Sequence, residues 1–318
     1  MNTVELVRVI RSGFHEGSHY GSVVITDPDG GVVFALGTVD QPVFPRSSNK
    51  PFQAIASLAA GADLAGADLA LAAASHSGEL IHTDRVQAML DRSGFTEDDL
   101  QCPAAMPLND ARRQDIIRAG GGPRRIYMNC SGKHTGMIMA SRAAGWDPAG
   151  YLRPDHPYQR SVLDRIEMLT GEHVAAVGVD GCGAPVAAFS LTGLARAFGR
   201  LTTAPFGSAD RTVADAMRAH PEQVGGTGRD DTLLMQGIPG LLVKAGAEGV
   251  HAAALSDGRA LALKISDGAE RARTTALVAA LRRLGLDDPV LDELGTATVL
   301  GGGVPVGLVE PAPALLGG

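Results

Sequence analysis

Ser47 and Lys50 stand three residues apart in Arg46-Ser47-Ser48-Asn49-Lys50-Pro51-Phe52-Gln53, at the start of an alanine-rich apolar run. Residues at that spacing lie on one helix face about one turn from each other, so the amine can reach the hydroxyl. A serine is a poor nucleophile until a base takes its proton, and here the candidate base is an amine. At its reference pKa of about 10.4, lysine is neutral in only about four of every ten thousand molecules at pH 7. Its pKa must fall by about three units, roughly 4 kcal/mol, to act near neutrality. Desolvation and a second cation are the two available causes. Pro51 fits only the first turn of a helix, because deeper inside it would delete a backbone hydrogen bond and clash. Ser47 is therefore expected at a helix N-terminus, where free N–H groups and the dipole favour an oxyanion.

The Ser-x-x-Lys pattern is the nucleophile motif of serine β-lactamases and penicillin-binding proteins. A capping serine followed by a surface lysine gives the same four residues. Ser48 competes for the nucleophile role, but its offset of two from Lys50 puts the pair on different helix faces. Lys264, in Leu263-Lys264-Ile265-Ser266-Asp267-Gly268, is the candidate second cation. Its place resembles the strand-borne lysine that follows the nucleophile helix in β-lactamase-like enzymes; the alternative is a strand-end lysine in solvent. Ser75-His76-Ser77-Gly78-Glu79 adds a second hydroxyl cluster, or an ordinary helix-to-loop transition.

Asn129-Cys130-Ser131-Gly132-Lys133-His134-Thr135-Gly136 is not a phosphate loop, since that pattern needs glycine where Tyr127 stands. Cys130 and His134 are four apart and can hold zinc from one helix face, with Cys182 of Asp180-Gly181-Cys182-Gly183 as a third ligand and one position open. The alternative is that each cysteine is a small buried hydrophobe.

A chain of 318 residues holds one large or two ordinary domains with a substantial core. An apolar fraction of 45% and a charged fraction of 20% are those of a soluble globular protein. A net charge of −7 and a pI near 5.7 leave no electrostatic footprint for nucleic acid or acidic membranes. Three cysteines are too few for a disulfide framework, and the first residues lack a basic segment followed by an apolar core. The most apolar region, 52–74, is interrupted by Asp63 and Asp68 and falls short of a membrane span. A cytoplasmic protein in a reducing compartment is the expectation.

The pattern predicts a first strand at Leu6-Val7-Arg8-Val9-Ile10-Arg11 and a hairpin from Ser22-Val23-Val24-Ile25 and Val32-Val33-Phe34-Ala35-Leu36 around Asp27-Pro28-Asp29-Gly30-Gly31. The polar stretch 12–19 between them reads as a connection. Residues 51–170 read as helical, with Thr83 capping one helix and others over 110–119, 134–144 and 158–169. Ala175-Ala176-Val177-Gly178-Val179-Asp180 reads as a buried strand, and 208–219 as a helix before the glycine-rich 225–231, a lid or hinge. Strands at 241–244, 250–255 and 260–265 suit an antiparallel meander, and Leu277, Val278, Leu281 and Leu284 mark one helix face. The expected class is α/β (α+β), with an antiparallel sheet built from both chain ends and a helical middle. One domain is expected over 1–318, its sheet drawn from about 1–45 and 235–318 and its helices from about 50–170.

Arg46-Ser47-x-x-Lys50-Pro51, Ser75-His76-Ser77, Asn129-Cys130-Ser131-Gly132-Lys133-His134, Asp180-Gly181-Cys182 and Lys264-Ile265-x-Asp267-Gly268 together resemble the L-asparaginase II, or rhizobial-type, family. The resemblance runs from Glu5 to about Gly307. It implies a serine β-lactamase- and glutaminase-like fold, and two serine–lysine pairs, Ser47 with Lys50 and Ser75 with Lys264. It also implies a zinc held by Cys130, Cys182 and Lys133, in place of the His134 that spacing alone selects. Asp180 is the matching aspartate, and a homodimer is implied. The reaction expected is hydrolysis of the L-asparagine side-chain amide through an acyl-enzyme on Ser47. Ser75 and Lys264 would relay protons, with Arg46, Asp180 and His134 on the substrate. The competing readings are a β-lactamase-like or penicillin-binding-like serine amidohydrolase, a glutaminase, and a non-catalytic zinc-stabilised binding module.

Overall fold

The chain reverses for the first time at Ser12-Gly13, whose φ angles of 50° and 79° are both left-handed. Two such residues make a turn whose twist matches that of the flanking strands. They join β1 (Val4–Arg11) to β2 (Phe14–Thr26), and β3 (Val32–Leu36) follows. The computed structural model describes residues 2–316. β2 starts well before the hairpin read from sequence, so much of the polar stretch 12–19 is strand. That half of β2 is largely exposed, so nothing apolar marks it in the sequence. It pairs with β1, while its buried second half lies between β3 and a strand from the C-terminal region.

The middle of the chain is helical: α1 (Lys50–Ala59), α2 (Gly66–Ala72), α3 (Leu80–Arg92), α4 (Asp110–Arg118), α5 (Ser131–Ala143) and α6 (Pro157–Thr170). α3 begins at Leu80 rather than after Thr83, because the Glu79 N–H donates to His82 Nδ1 across 3.1 Å and closes the first turn. β4 (Ala176–Val179) and β5 (Pro185–Ala188) form a separate two-stranded sheet. The expectation of a buried strand at 175–180 is corrected here, since Val177 and Val179 are exposed. Apolar composition alone does not distinguish a core strand from an outlying hairpin. Then come α7 (Leu191–Thr203), α8 (Ala209–Ala219), α9 (Pro221–Val224), α10 (Asp230–Gly237), β6 (Leu242–Gly246), β7 (Val250–Ala254), β8 (Ala260–Ile265), α11 (Glu270–Arg283), α12 (Pro289–Leu294), β9 (Ala297–Gly301), β10 (Val304–Pro311) and α13 (Pro313–Leu316).

The main sheet runs β6-β7-β8-β2-β1-β10-β9, with β3 added beside β2. Every pairing in it is antiparallel. The two chain ends thus share one sheet, as the sequence implies: β2 pairs with β8, and β1 with β10 from Val7↔Pro311 to Arg11↔Gly307. β6, β7 and β8 are buried at all but one position, so both faces are covered, and α7 and α11 each pack against β7 and β8. The core centres on Leu6, Val23, Ile25, Leu261, Leu263, Phe198 and Leu277. Beyond it α1 packs against α5, α6 and α8, and α2 against α5 and α8. Among the described residues no helix is long and apolar enough to cross a membrane.

Gly307 faces the Ile10 carbonyl where β10 closes on β1, and a Cβ there would run into that backbone oxygen. Gly307→Ala is expected to destabilise the fold by about 1–3 kcal/mol, the usual cost of overpacking. Chemical denaturation checks this; an unchanged midpoint would mean that the two ends do not approach so closely.

Candidate active site

Ser47 lies on a 3-10 turn, Arg46–Asn49, that runs into α1, with Pro51 in the first helical turn as its chemistry requires. Arg46 has a left-handed φ of 52°, unusual for a non-glycine residue, and it sets the direction of the serine that follows. The edge strand β6 packs against this turn. Gly246 makes the approach possible, since a Cβ there would meet the Pro45 carbonyl and the Ser48 hydroxyl. Ser48 is buried and donates to the Lys244 carbonyl at 3.0 Å, so it is spent on joining turn to strand.

The Lys50 amine is not drawn to Ser47. It points under the cleft, buried, and donates to the Ala74 carbonyl at 2.6 Å and to Ser75 Oγ at 2.9 Å. Ser75 follows α2 in an extended segment pinned by two backbone bonds, Ser75 N–H to Val224 and His76 N–H to Asn129. Ser47 and Ser75 line one cleft of about 280 Å³, together with Asn129, Arg229, Ala245, Gly246, Glu248, Glu270 and Arg273.

The expected pairing of Ser75 with Lys264 is corrected. Lys264 lies on β8, its amine bonded to the Glu248 carbonyl at 2.7 Å, and it faces other cavities, beside Ser22 and Thr38 and beside Phe44. The buried second cation is Lys244 on β6. Its amine donates to the Ala245 carbonyl at 2.8 Å and lies 3.3 Å from Asp231. Asp231 also accepts from the Ala245 N–H at 3.0 Å and meets His251 Nε2 at 2.9 Å. Burial pushes Lys244 down to about 8 against the pull of Asp231, with Lys50 and Arg229 adding to the fall. Lys244-Ala245-Gly246 on an edge strand is the sequence signal that was passed over, since a Lys-Thr-Gly strand accompanies Ser-x-x-Lys in β-lactamases.

A sulfur–nitrogen cluster lies beside Lys50. Cys130 caps α5, and Cys182 sits on the loop between β4 and β5. α5 comes close to α2 because Gly132 leaves no Cβ to strike Leu71. Lys133 Nζ is 3.0 Å from Cys182 Sγ. The neighbouring Cys130 thiol and the Lys133 charge hold Cys182 far below its ordinary pKa despite burial, while Cys130 Sγ itself lies 3.3 Å from Asn129 Oδ1. Burial opposes the Lys133 charge, but the two sulfurs raise its pKa above the ordinary value. His134 is also buried; its Nδ1 meets the Tyr151 hydroxyl at 2.7 Å and its Nε2 has no hydrogen-bond partner. Burial lowers it to about 4. Among the described residues no three His, Cys, Asp or Glu side chains form a metal-ligand group. Asp180 does not face the cleft; it binds Arg46 Nε at 2.7 Å. Arg46 in turn lines the neighbouring cavity.

A mixed α/β fold with a cleft edged by two serines, over a buried lysine, defines the class. The chain matches the L-asparaginase II family over residues 7–311, so it belongs to that family. No curated protein matches it. Among solved structures it is similar to Mglu in its native form, at 14% identity over 83% of this chain, with a TM-score of 0.45. It spans 63% of the length of that protein. It is also similar to a beta-lactamase from Mycobacterium bovis, at 15% identity over 84% of this chain and 95% of that one, with a TM-score of 0.48. A probable glutaminase, ybaS, matches at 16% identity over 80% of each chain, with a TM-score of 0.33.

A neighbouring cation disfavours protonation, so removing it lets an amine keep its proton to higher pH. Lys50→Met is therefore expected to raise Lys244 above about 8, read by NMR titration of labelled lysine. In the wild type, this group binds fewer protons folded than unfolded between about 8 and its ordinary 10.5. Its contribution to stability accordingly grows as pH rises through that window. A Lys244 titration that ignores Lys50→Met would mean that the two amines do not share a field.

Proposed function

We propose that the protein hydrolyses the side-chain amide of L-asparagine to L-aspartate and ammonia through a serine acyl-enzyme. The observation that carries this reading is the shared cleft of Ser47 and Ser75, with the buried Lys50 amine 2.9 Å from the second hydroxyl. Ser47 Oγ attacks the amide carbon, and its proton passes by way of Ser75 to Lys50 acting as a neutral amine. The N–H groups of the turn entering α1 stabilise the oxyanion. As the carbon–nitrogen bond breaks, the proton held by Lys50 returns to the departing nitrogen and ammonia leaves. Water then attacks the Ser47 ester, giving up a proton along the same path, and the ester bond breaks to free aspartate and restore the hydroxyl. Lys244, held by Asp231, is a second buried amine near Lys50.

The direct contact between Lys50 and Ser75 favours a second assignment, in which Ser75 attacks and Ser47 assists. Mass spectrometry of the trapped acyl-enzyme separates the two. Acylation by a β-lactam, with no ammonia from asparagine, would favour a β-lactamase-like enzyme.

Zinc fits the sulfur–nitrogen cluster. Two buried thiols, an amine 3.0 Å from one of them and an orphaned imidazole nitrogen form a soft, dry donor set. Cys130, Cys182 and Lys133 would hold the ion, Lys133 giving up its proton to do so. Bound there, it supplies a fixed positive charge that orients groups around the cleft.

Ser47→Ala is expected to lower ammonia release from L-asparagine by about a thousandfold or more, the usual cost of losing a nucleophile. Near-normal turnover in that variant would overturn its role. Chelation is expected to lower activity while circular dichroism stays folded. Activity unaltered by complete metal removal would end the zinc proposal, and unfolding on chelation would favour the binding-module reading.

A further inference from the structure

An α-amino acid carries opposite charges on neighbouring atoms, so a site that selects one needs a cation and an anion held side by side. The cleft offers one such pair at its rim. Arg229 Nη2 and Glu270 Oε1 are 3.5 Å apart, too far for a strong hydrogen bond, and both line the serine cleft. The Arg229 side chain is 29% exposed and that of Glu270 66%, so a ligand can reach both.

Of the other charged groups lining the cleft, Glu248 faces Arg46 at 3.7 Å and Arg273 is committed, one of its bonds going to Glu270 itself. Arg273 is buried and bonded to Asp230 at 2.8 Å, to Glu270 at 3.1 Å and to the Gly246 carbonyl at 3.2 Å. Arg46, expected from sequence to meet the substrate carboxylate, is held by Asp180 and faces Glu248 at 3.7 Å from outside this cleft.

Arg229 also stands on fixed backbone. It is the residue before α10, and its carbonyl accepts the Leu233 N–H at 2.9 Å. The preceding glycine-rich stretch is tied down at Thr227, whose N–H and hydroxyl donate to Glu79 at 2.9 and 2.7 Å. This stretch, read from sequence as a lid or hinge, is thus tethered in the structure. A guanidinium presented from such a base is preorganised for a carboxylate.

We propose that the Arg229–Glu270 pair is the receptor for the substrate's α-carboxylate and α-ammonium, Arg229 taking the first and Glu270 the second. The inference rests on the reading of the cleft as an asparaginase site. The substrate zwitterion inserts between the two side chains and exchanges their weak mutual contact for two direct ones. In asparagine the α-carboxylate carbon is three carbon–carbon bonds from the amide carbon. The fixed pair therefore measures chain length and points the amide at the serines.

The test compares L-asparagine with 3-aminopropanamide, which lacks the α-carboxylate, and with succinamate, which lacks the α-ammonium. Arg229→Met is expected to lower kcat/KM for L-asparagine by about 10- to 100-fold more than for 3-aminopropanamide, the range for a charge-assisted contact. Arg229→Lys, which keeps charge without the planar fork, is expected to restore part of the loss. Glu270→Gln is expected to penalise L-asparagine and spare succinamate. Arg229 also lowers the proton affinity of Lys244, and a loss by that route falls on all three amides alike.

Equal losses on all three amides, or none, overturn the proposal. Calorimetry with L-aspartate and with 3-aminopropanoate reads the same receptor without turnover. Wild-type preference for L-aspartate that vanishes in Arg229→Met sustains the receptor even if asparagine releases no ammonia, in which case only the asparaginase reading fails. Absence of that preference overturns the receptor.

Discussion

The site is organised by a primary amine kept out of water. Lys50 is 1% exposed, and taking an ammonium into such a place costs several kcal/mol unless an anion answers it. Among the described residues no carboxylate lies within 4.0 Å of its nitrogen. Its partners are a carbonyl and the hydroxyl of Ser75. The other two buried lysines nearby are treated differently: Lys244 has Asp231, and Lys133 has Cys182. Three amines in one dry region repel one another, and only two have anionic partners at hand. Lys50 is the one without such a partner, and it is the one in contact with a cleft serine.

Holding that arrangement requires backbone to come close to backbone. Gly246 brings β6 onto the serine turn, and Gly132 brings α5 onto α2 just before Ser75. The surrounding alanines, among them Ala70, Ala72 and Ala74, are fully or almost fully buried. Small side chains at these contacts let five separate segments reach one point, from the turn at Ser47 to the loop at Cys182. The same closeness explains why polar atoms here are so often tied to main-chain groups.

Much of this was legible in the sequence, and what escaped has physical reasons. Ser47 and Lys50 stand out by their spacing at a helix start, Ser75 by closing an apolar run, and Cys130 with His134 by sharing a helix face, whereas Lys133 comes only from the family resemblance. The two chain ends were correctly read as one sheet, because period-two apolar runs occur at both. Lys264 stands out in the sequence by its place at the end of the last meander strand, where a strand-borne lysine is expected after the nucleophile helix. Lys244 sits among residues buried on both sides, where alternation is erased and a lysine looks out of place. The first half of β2 hid for the opposite reason, since its residues are mostly polar and exposed. That Lys50 would bind Ser75 rather than Ser47 was beyond any spacing argument. It depends on where α2 ends in space.

The pairing of β1 with β10 has a consequence for how the molecule is made. A ribosome delivers the chain from its N-terminus, and early segments generally fold as they emerge. Here β1 pairs with β10, which is made some three hundred residues later, and β2 waits likewise for β8. Whatever chaperones surround synthesis meet this protein before its sheet can close.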